Sequence, residues 1–367
     1  VSVAGFAERD SGQAEEWLDP AQLRSTVEAL LTDFFAGQER LAPELAELGI
    51  FTERLRDLFA AGGKRIRPHL CVCGWRAVRD DPPPPALWRV AASLELFHAF
   101  ALVHDDVMDR SELRRGRPTA HRAFAARHGH RPDADAFGTD AAILLGDLAL
   151  GWSFEILHSP DLAPEQRDRV WPILNSLRSE TLVGQYLDLS SAGQEVDGHE
   201  TAWRIVRLKT TKYTFERPLQ LGAVLAGADG DQVRVLSDYA VPLGDAFQLR
   251  DDLLGVFGDP RQTGKGALDD LRSGKNTVLV ATAHDRATPG PGRDSARAPG
   301  EPGPRRGRRR RGSAGADRHR RAGAGGAPHR HSARPGARRT RHGPVAARRG
   351  GCTARTRLRH RHLSTAS

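Results

Sequence analysis

Apolar positions recur at three- and four-residue steps through most of the chain, the spacing of one helix face, and seldom alternate. Asp19-Pro20 reads as an N-cap followed by proline at the first helical position, and Leu23, Val27, Leu30, Leu31, Phe34 and Phe35 continue at helical spacing. Leu55, Leu58 and Phe59 form the next turns, which stop at Gly62-Gly63. β-branched alternation is rare, and no Asn-Gly or Asp-Gly turn joins two alternating runs. The pattern predicts an all-α protein.

The helical pattern ends near residue 285, where composition changes. The 367 residues carry a net charge of +9, but 22 Arg against only Asp294, Glu301 and Asp317 put about +19 into Ala287–Ser367, which leaves about −10 for the rest. That segment has no Lys, Ile, Phe, Tyr, Trp, Asn, Gln or Met, and its Arg, Ala, Gly and Pro cannot bury a core. Those four are also the commonest words of GC-rich DNA translated out of frame. We therefore expect a frameshift or sequence error between about Ala281 and Pro289, where the apolar helix Thr277–Ala283 is cut off mid-pattern. A basic nucleic-acid arm is the functional alternative, but aromatic residues for stacking are absent and no nucleic-acid partner is expected. The expected organisation is a flexible N-terminus (1–18), a helical bundle (19–285) and a low-complexity basic tail (286–367).

With 39% hydrophobic residues the chain can bury a sizeable core. Residues 1–20 are acidic and lack an apolar signal-peptide region, and no run reaches the roughly 18 uninterrupted apolar residues of a membrane span. A cytoplasmic protein without an integral membrane segment is expected. Cys71 and Cys73 read as core residues, and Cys352 lies far from both.

The candidate chemistry begins where the apolar run Leu96–Val103 leads into Asp105-Asp106-Val107-Met108-Asp109. On a helix Asp105 and Asp109 lie one turn apart on one face, and like charges that close call for a cation. Mg²⁺ takes one or two carboxylates plus phosphate oxygens. A solvated acidic helix end is the alternative, which the apolar lead-in argues against. Arg114-Arg115-Gly116-Arg117-Pro118-Thr119 follows, with guanidinium groups suited to a phosphate ester, and Gly116 and Pro118 are expected to end the helix.

These two stretches resemble the first aspartate-rich motif of the trans-isoprenyl diphosphate synthases, or polyprenyl synthetases. The likeness is greatest to short-chain geranylgeranyl diphosphate synthases, and it covers roughly Leu23 to Ala283, so that the family's C-terminal helices have no counterpart. The resemblance implies an isoprenoid-synthase-type helical bundle around a central cavity, shared with terpene cyclases, and usually a homodimer. The implied substrates are isopentenyl diphosphate and an allylic diphosphate (dimethylallyl, geranyl or farnesyl), and the implied cofactor is Mg²⁺, three ions with diphosphate bound.

Site residues follow from the same resemblance. Asp105, Asp106 and Asp109 form the first metal cluster, and Asp251-Asp252 resembles the second aspartate-rich motif, with Gln248 one turn before it. Asp251 is expected to keep the metal role. The usual third Asp is replaced by Gly255, and Asp259 lies too far along to substitute simply. In Gly62-Gly63-Lys64-Arg65-Ile66-Arg67-Pro68 the glycines permit close backbone approach, and Lys64 and Arg67 can share one helix face. In isolation this would be an exposed basic turn. Lys64, Arg67, His98 and Arg115 match the isopentenyl diphosphate clamp.

Lys209 and Thr210 match the family's Lys-Thr pair at the allylic diphosphate, and Arg114 and Gln248 join them as catalytic candidates. Lys265 and Lys275 match lysines that close over the diphosphate. Gln185 and Asp188 are as well explained by helix packing and stand outside the site, and His104 reads as a structural neighbour of the metal. Phe100 and Ala101, five and four residues before Asp105, match the product-length positions of enzymes that stop at a C20 chain.

The two carboxylate clusters can face each other across a bundle and hold Mg²⁺, while cations bind a second diphosphate. Neutralising the charge on a departing diphosphate makes it a leaving group, and no side-chain nucleophile is needed. The activity expected is a trans-prenyltransferase making geranylgeranyl diphosphate. A terpene cyclase of the same fold, or an inactive truncated or partner subunit, are the alternatives.

Overall fold

Asp19 caps the first helix, α1 (Pro20–Leu41), by accepting from the backbone N–H groups of Ala21 and Gln22 at 2.7 and 2.9 Å. The expected face is buried at Leu23, Val27, Leu31 and Phe35, with Leu30 and Phe34 half-buried against the same core. The computed structural model describes residues 18–194, 198–258 and 274–286. Residues 1–17 and 287–367, and with them nearly all of the expected N-terminal segment and tail, lie outside the described residues, as does Cys352.

α2 (Leu48–Ala60) buries Leu55 and Phe59 and stops before Gly62 and Gly63, whose φ values of +87° and +138° suit glycine. α3 (Ile66–Arg76) follows a left-handed residue, Arg65. α4 (Pro85–Met108) is the hub, packed on α1, α3 and three later helices and buried along most of its length. By length and composition it alone among the described residues could cross a membrane, but its apolar face is spent on the protein core.

The chain turns at Asp109, the C-cap of α4, which is earlier than the expected stop. Gly116 and Pro118 instead belong to a short hairpin of β1 (Leu113–Arg114) and β2 (Arg117–Pro118). Its two turn residues, Arg115 and Gly116, both have positive φ, +52° and +73°, the twist that joins antiparallel strands closely. No Asn-Gly or Asp-Gly marks this turn, so the strand pattern did not announce it.

α5 (Ala120–Arg127) and α6 (Ala134–Glu155) pack on each other, and α6 lies along α4. α7 (Pro164–Ser191) is followed by α8 (Gly198–Ile205), which runs directly into a π-helical stretch, Val206–Glu216, and on into α9 (Arg217–Leu225). π-helical turns are rare and concentrate at functional sites. α10 (Gly230–Phe257) covers the π-helical stretch, and α11 (Val278–Arg286) packs through Val278 and Ala281 on Ala202 of α8 and Val206 at the start of the π-helical stretch.

Glycines decide two close approaches. A Cβ on Gly222 of α9 would stand 1.8 Å from the Cys71 carbonyl oxygen, and one on Gly74 of α3 would stand 2.0 Å from that of Leu219. α3 and α9 therefore meet backbone to backbone. Cys71 is fully buried there and Cys73 half-buried, and burial pushes both thiols up from their ordinary value. Large apolar side chains stay exposed on α10, including Val235, Tyr239 and Phe257, and on α7 at Leu182 and Tyr186.

Candidate active site

The end of α4 presents Asp105 and Asp109, and cations from two other segments meet them. Lys209, on the π-helical stretch, donates to Asp105 Oδ1 at 3.0 Å and to Asp188 Oδ2 at 2.7 Å. Lys275, just before α11, donates to Asp109 Oδ2 at 2.7 Å. Gln185 of α7 adds an N–H to Asp105 Oδ1 at 3.2 Å. Burial opposes ionisation of Asp105, yet Lys209, Lys275 and Arg114 hold its carboxyl below the usual carboxylate range. Burial likewise opposes the charges of Lys209 and Lys275, and the facing aspartates more than compensate, so both ammonium groups are held above their ordinary value.

Asp106 does not share this arrangement. Both of its oxygens accept from Arg114 Nε at 2.9 Å, and it is 3% exposed. The guanidinium reaches Asp105 Oδ2 at 3.4 Å as well, so Arg114 joins the two carboxylates. Spent on this fork, Asp106 is less available to a metal than Asp105 and Asp109. Among the described residues no three His, Cys, Asp or Glu side chains form a preformed cage. A pair of carboxylates balanced by ammonium groups suits a hard dication that draws its remaining oxygens from phosphate and water.

Thr210 extends the site toward α10. Its hydroxyl donates to Gln248 Oε1 at 2.7 Å, and Gln248 Nε2 donates to Asp252 Oδ1 at 2.7 Å. Asp252, 6% exposed, therefore shares the inner side of α10 with Gln248, whereas Asp251 is exposed. Gln248 was placed one turn before the Asp251-Asp252 pair, and it is the second of the two that it meets. Residues four apart lie closer on a helix face than residues three apart, and packing of α10 on the π-helical stretch selects Asp252. That packing is tight: a Cβ on Gly244 would meet Thr211 at 2.9 Å, and Thr211 donates to Asp245 Oδ1 at 2.7 Å.

A second group of cations gathers around His98. Arg67 donates to Thr214 Oγ1 at 2.8 Å and lies 4.0 Å over the Tyr213 ring, whose hydroxyl is 2.7 Å from His98 Nδ1. Arg115 donates to the Gly62 carbonyl, and a Cβ on Gly63 would stand 2.9 Å from its Nη1. Burial and the neighbouring arginines Arg67, Arg115, Arg114 and Arg65 keep His98 well below the ordinary imidazole value, and therefore neutral. Burial and the like charges of Arg65 and Arg114 also lower Arg115. Arg67 and Arg115 beside a neutral imidazole make a site for an anion.

Lys64 is exposed in the loop before α3, so it does not share a helix face with Arg67, as the spacing alone suggested. The left-handed turn at Arg65 separates them. Arg114 and Arg115, adjacent in sequence, serve different groups because Arg114 lies on β1 and Arg115 in the left-handed turn: Arg114 meets Asp106 and Arg115 meets Gly62.

Phe100 is 4% exposed, with ring centroids 5.3 Å from Phe97 and 4.8 Å from His104, and Ala101 is half-buried. His104 Nε2 pairs with the Ile143 carbonyl at 3.1 Å, and a Cβ on Gly146 would stand 2.2 Å from its ring, so His104 is a packing residue. Gln185 and Asp188, set aside on sequence, belong to the site. Their signal was polar side chains three apart on one side of α7 beside Gly184, where a Cβ would stand 2.6 Å from the backbone nitrogen of Lys209. Lys265 and Asp259 lie outside the described residues.

A helical core with an aspartate and lysine cluster on one side and a cluster of cations on the other defines a class of diphosphate-handling proteins, and sequence comparison names it. The polyprenyl synthetase family model matches residues 49–296, and the chain belongs to that family, the trans-isoprenyl diphosphate synthases. It is 36% identical over 234 residues to the geranylfarnesyl diphosphate synthase of Aeropyrum pernix, covering 63% of this chain and 69% of that one. Identity to the geranylgeranyl diphosphate synthase of Saccharolobus solfataricus is 33% over 233 residues, 63% of this chain and 65% of that one. The chain thus spans about two thirds of the length of these curated relatives. Among solved structures, the geranylgeranyl pyrophosphate synthase of Corynebacterium glutamicum, complexed with isoprenyl diphosphate and magnesium, superimposes with a TM-score of 0.70 at 40% identity, covering 73% of this chain and 78% of that one.

Proposed function

We propose that this chain condenses isopentenyl diphosphate with an allylic diphosphate to give a trans-polyprenyl diphosphate, geranylgeranyl diphosphate from a farnesyl primer. The observation that carries this proposal is the division of the site: Asp105 and Asp109 with Lys209 and Lys275 on one side, and Arg67 and Arg115 with neutral His98 on the other. One diphosphate must leave and the other must stay, and two electrostatically different clusters suit these two fates.

Asp105 and Asp109, with Asp251 or Asp252 from α10, would hold Mg²⁺, which when bound supplies positive charge to the allylic diphosphate as its C–O bond breaks. Lys209, Lys275 and Arg114 add fixed donors for the same oxygens, and Lys265 is assigned with them. Thr210 Oγ1, oriented by Gln248, borders the allylic carbon. Lys64, Arg67, His98 and Arg115 clamp isopentenyl diphosphate so that its double bond attacks the allylic carbon. The cation this leaves on the isopentenyl unit then loses a proton from the neighbouring methylene carbon to the released diphosphate, and a new double bond forms. Phe97, Phe100 and Tyr213 keep water from the reacting carbons. The active form is proposed to be a homodimer in the cytoplasm.

The deciding experiment is incorporation of radiolabelled isopentenyl diphosphate with Mg²⁺ and farnesyl diphosphate. It is run on this chain and on one whose reading frame is restored after about Ala283. A C20 product from the restored chain alone supports the synthase and identifies residues 286–367 as out of frame. A C20 product from both shows that the family's C-terminal helices are dispensable here, and no product from either rejects the synthase assignment.

A further inference from the structure

We infer that Arg65 is a positioning residue for isopentenyl diphosphate, holding the loop of Lys64 and the first turn of Arg67 in register with His98 through a buried ion network. It depends on the prenyltransferase assignment above. Arg65 stands between two residues assigned to the clamp, yet it is 6% exposed and its guanidinium points away from solvent. Nη1 donates to Glu95 Oε2 at 3.0 Å, and Nη2 donates to Glu28 Oε1 at 2.8 Å and to the Phe59 carbonyl at 2.9 Å. The same group lies 5.4 Å over the Phe59 ring. One side chain thereby ties the loop to α1, α2 and α4.

Its register with the clamp comes from Glu95, which is 1% exposed and three residues before His98 on α4. The buried Arg65–Glu95 ion pair fixes the loop relative to the helix that carries His98. The backbone agrees, since Arg65 has φ +48°, a left-handed conformation that a non-glycine side chain holds only with support. The loop ahead of it is fastened twice more, by Arg24 Nη2 donating to the Gly63 carbonyl at 2.5 Å and by Arg115 donating to that of Gly62. A loop whose side chains were only solvated would have no use for a nearly fully buried arginine with two acidic partners.

The test uses Arg65→Lys, which keeps the charge but not the three-way fork, and Glu28→Gln, whose position is 39% exposed and so leaves the fold intact. Hydrogen exchange at the amides of residues 62–65 is measured together with steady-state kinetics for each substrate. Faster loop exchange in both variants is expected, with KM for isopentenyl diphosphate up about tenfold and both KM for farnesyl diphosphate and kcat within about twofold. An unchanged KM for isopentenyl diphosphate in folded variants, equal rises in both KM values, or unchanged loop exchange in variants of an active protein each overturn the positioning role alone. Wild-type protein that neither incorporates nor binds isopentenyl diphosphate overturns the assignment and the role together.

Discussion

The ammonium of Lys209 lies between Asp105, 3.0 Å away, and Asp188, 2.7 Å away, and so stitches the π-helical stretch to the ends of α4 and α7. Removing it leaves two facing carboxylates without their shared counter-ion. Lys209→Ala is expected to lower kcat/KM for the allylic diphosphate about 10²-fold. It should also lower the melting temperature in chelator and recover much of that loss when Mg²⁺ is added. Thermal melts with and without Mg²⁺ check this, and an equal loss in both conditions would contradict a shared cation site.

Phe100, five residues before Asp105, is buried against the rings of Phe97 and His104. Phe100→Ala is expected to lengthen the product beyond C20, seen by chromatography of the dephosphorylated prenols. The same change empties part of a packed core and should cost about 3–5 kcal/mol of stability, read from denaturant unfolding. An unchanged product distribution from folded variant would remove Phe100 from the chain-length floor.

Gly74 and Gly222 allow α3 and α9 to meet at backbone distance. Because the atoms a new methyl would strike are carbonyl groups, no side-chain rotation relieves the contact. Gly222→Ala is expected to destabilise the protein by about 1–3 kcal/mol, measured by denaturant midpoint. Both glycines serve the same crossing, so Gly74→Ala combined with Gly222→Ala should cost less than the two single changes added together.

Glu180 on α7 accepts from Lys212 at 2.7 Å and from Arg217 through Nε at 2.8 Å and Nη2 at 2.7 Å. Burial opposes its ionisation, but the hydrogen bonds from Arg217 and Lys212 prevail and hold its pKa below the ordinary 4.5. A carboxyl with a depressed folded pKa adds stability that is fully present above its unfolded value and lost as pH falls through the folded one. Glu180→Gln should therefore cost about 1–2 kcal/mol at pH 7, with the penalty shrinking below about pH 4.5. Urea unfolding of both proteins across that range measures it, and a penalty independent of pH would show that the carboxylate charge is not what Glu180 contributes.

Several parts of the site were legible before any coordinates. The helical faces of α1 and α2, the cap at Asp19, and the pairing of Asp105 with Asp109 all follow from local periodicity, because residues a turn apart are neighbours whatever else the chain does. Asp106 was less legible. Sequence placed it in the metal cluster, but its neighbour in space is Arg114, which a hairpin with no Asn-Gly or Asp-Gly signal returns to it. Lys64 and Arg67 show the reverse failure: a helical spacing was drawn across Arg65, whose left-handed backbone breaks the helix there. Gln185 and Asp188 carried two explanations of equal weight on sequence, and the structure bonds Gln185 directly to Asp105 and joins Asp188 to it through Lys209.

Taken alone, the sequence determined the all-α class, the buried faces of α1 and α2 and the pairing of Asp105 with Asp109, since these depend on contacts within a few residues. Tertiary structure decided which carboxylates face the site, that Asp252 and not Asp251 meets Gln248, and that Arg65 is buried between Glu28 and Glu95. Those outcomes rest on pairs far apart in the chain. Their partners are selected by how closely helices approach, and that distance is set by packing that no single stretch contains.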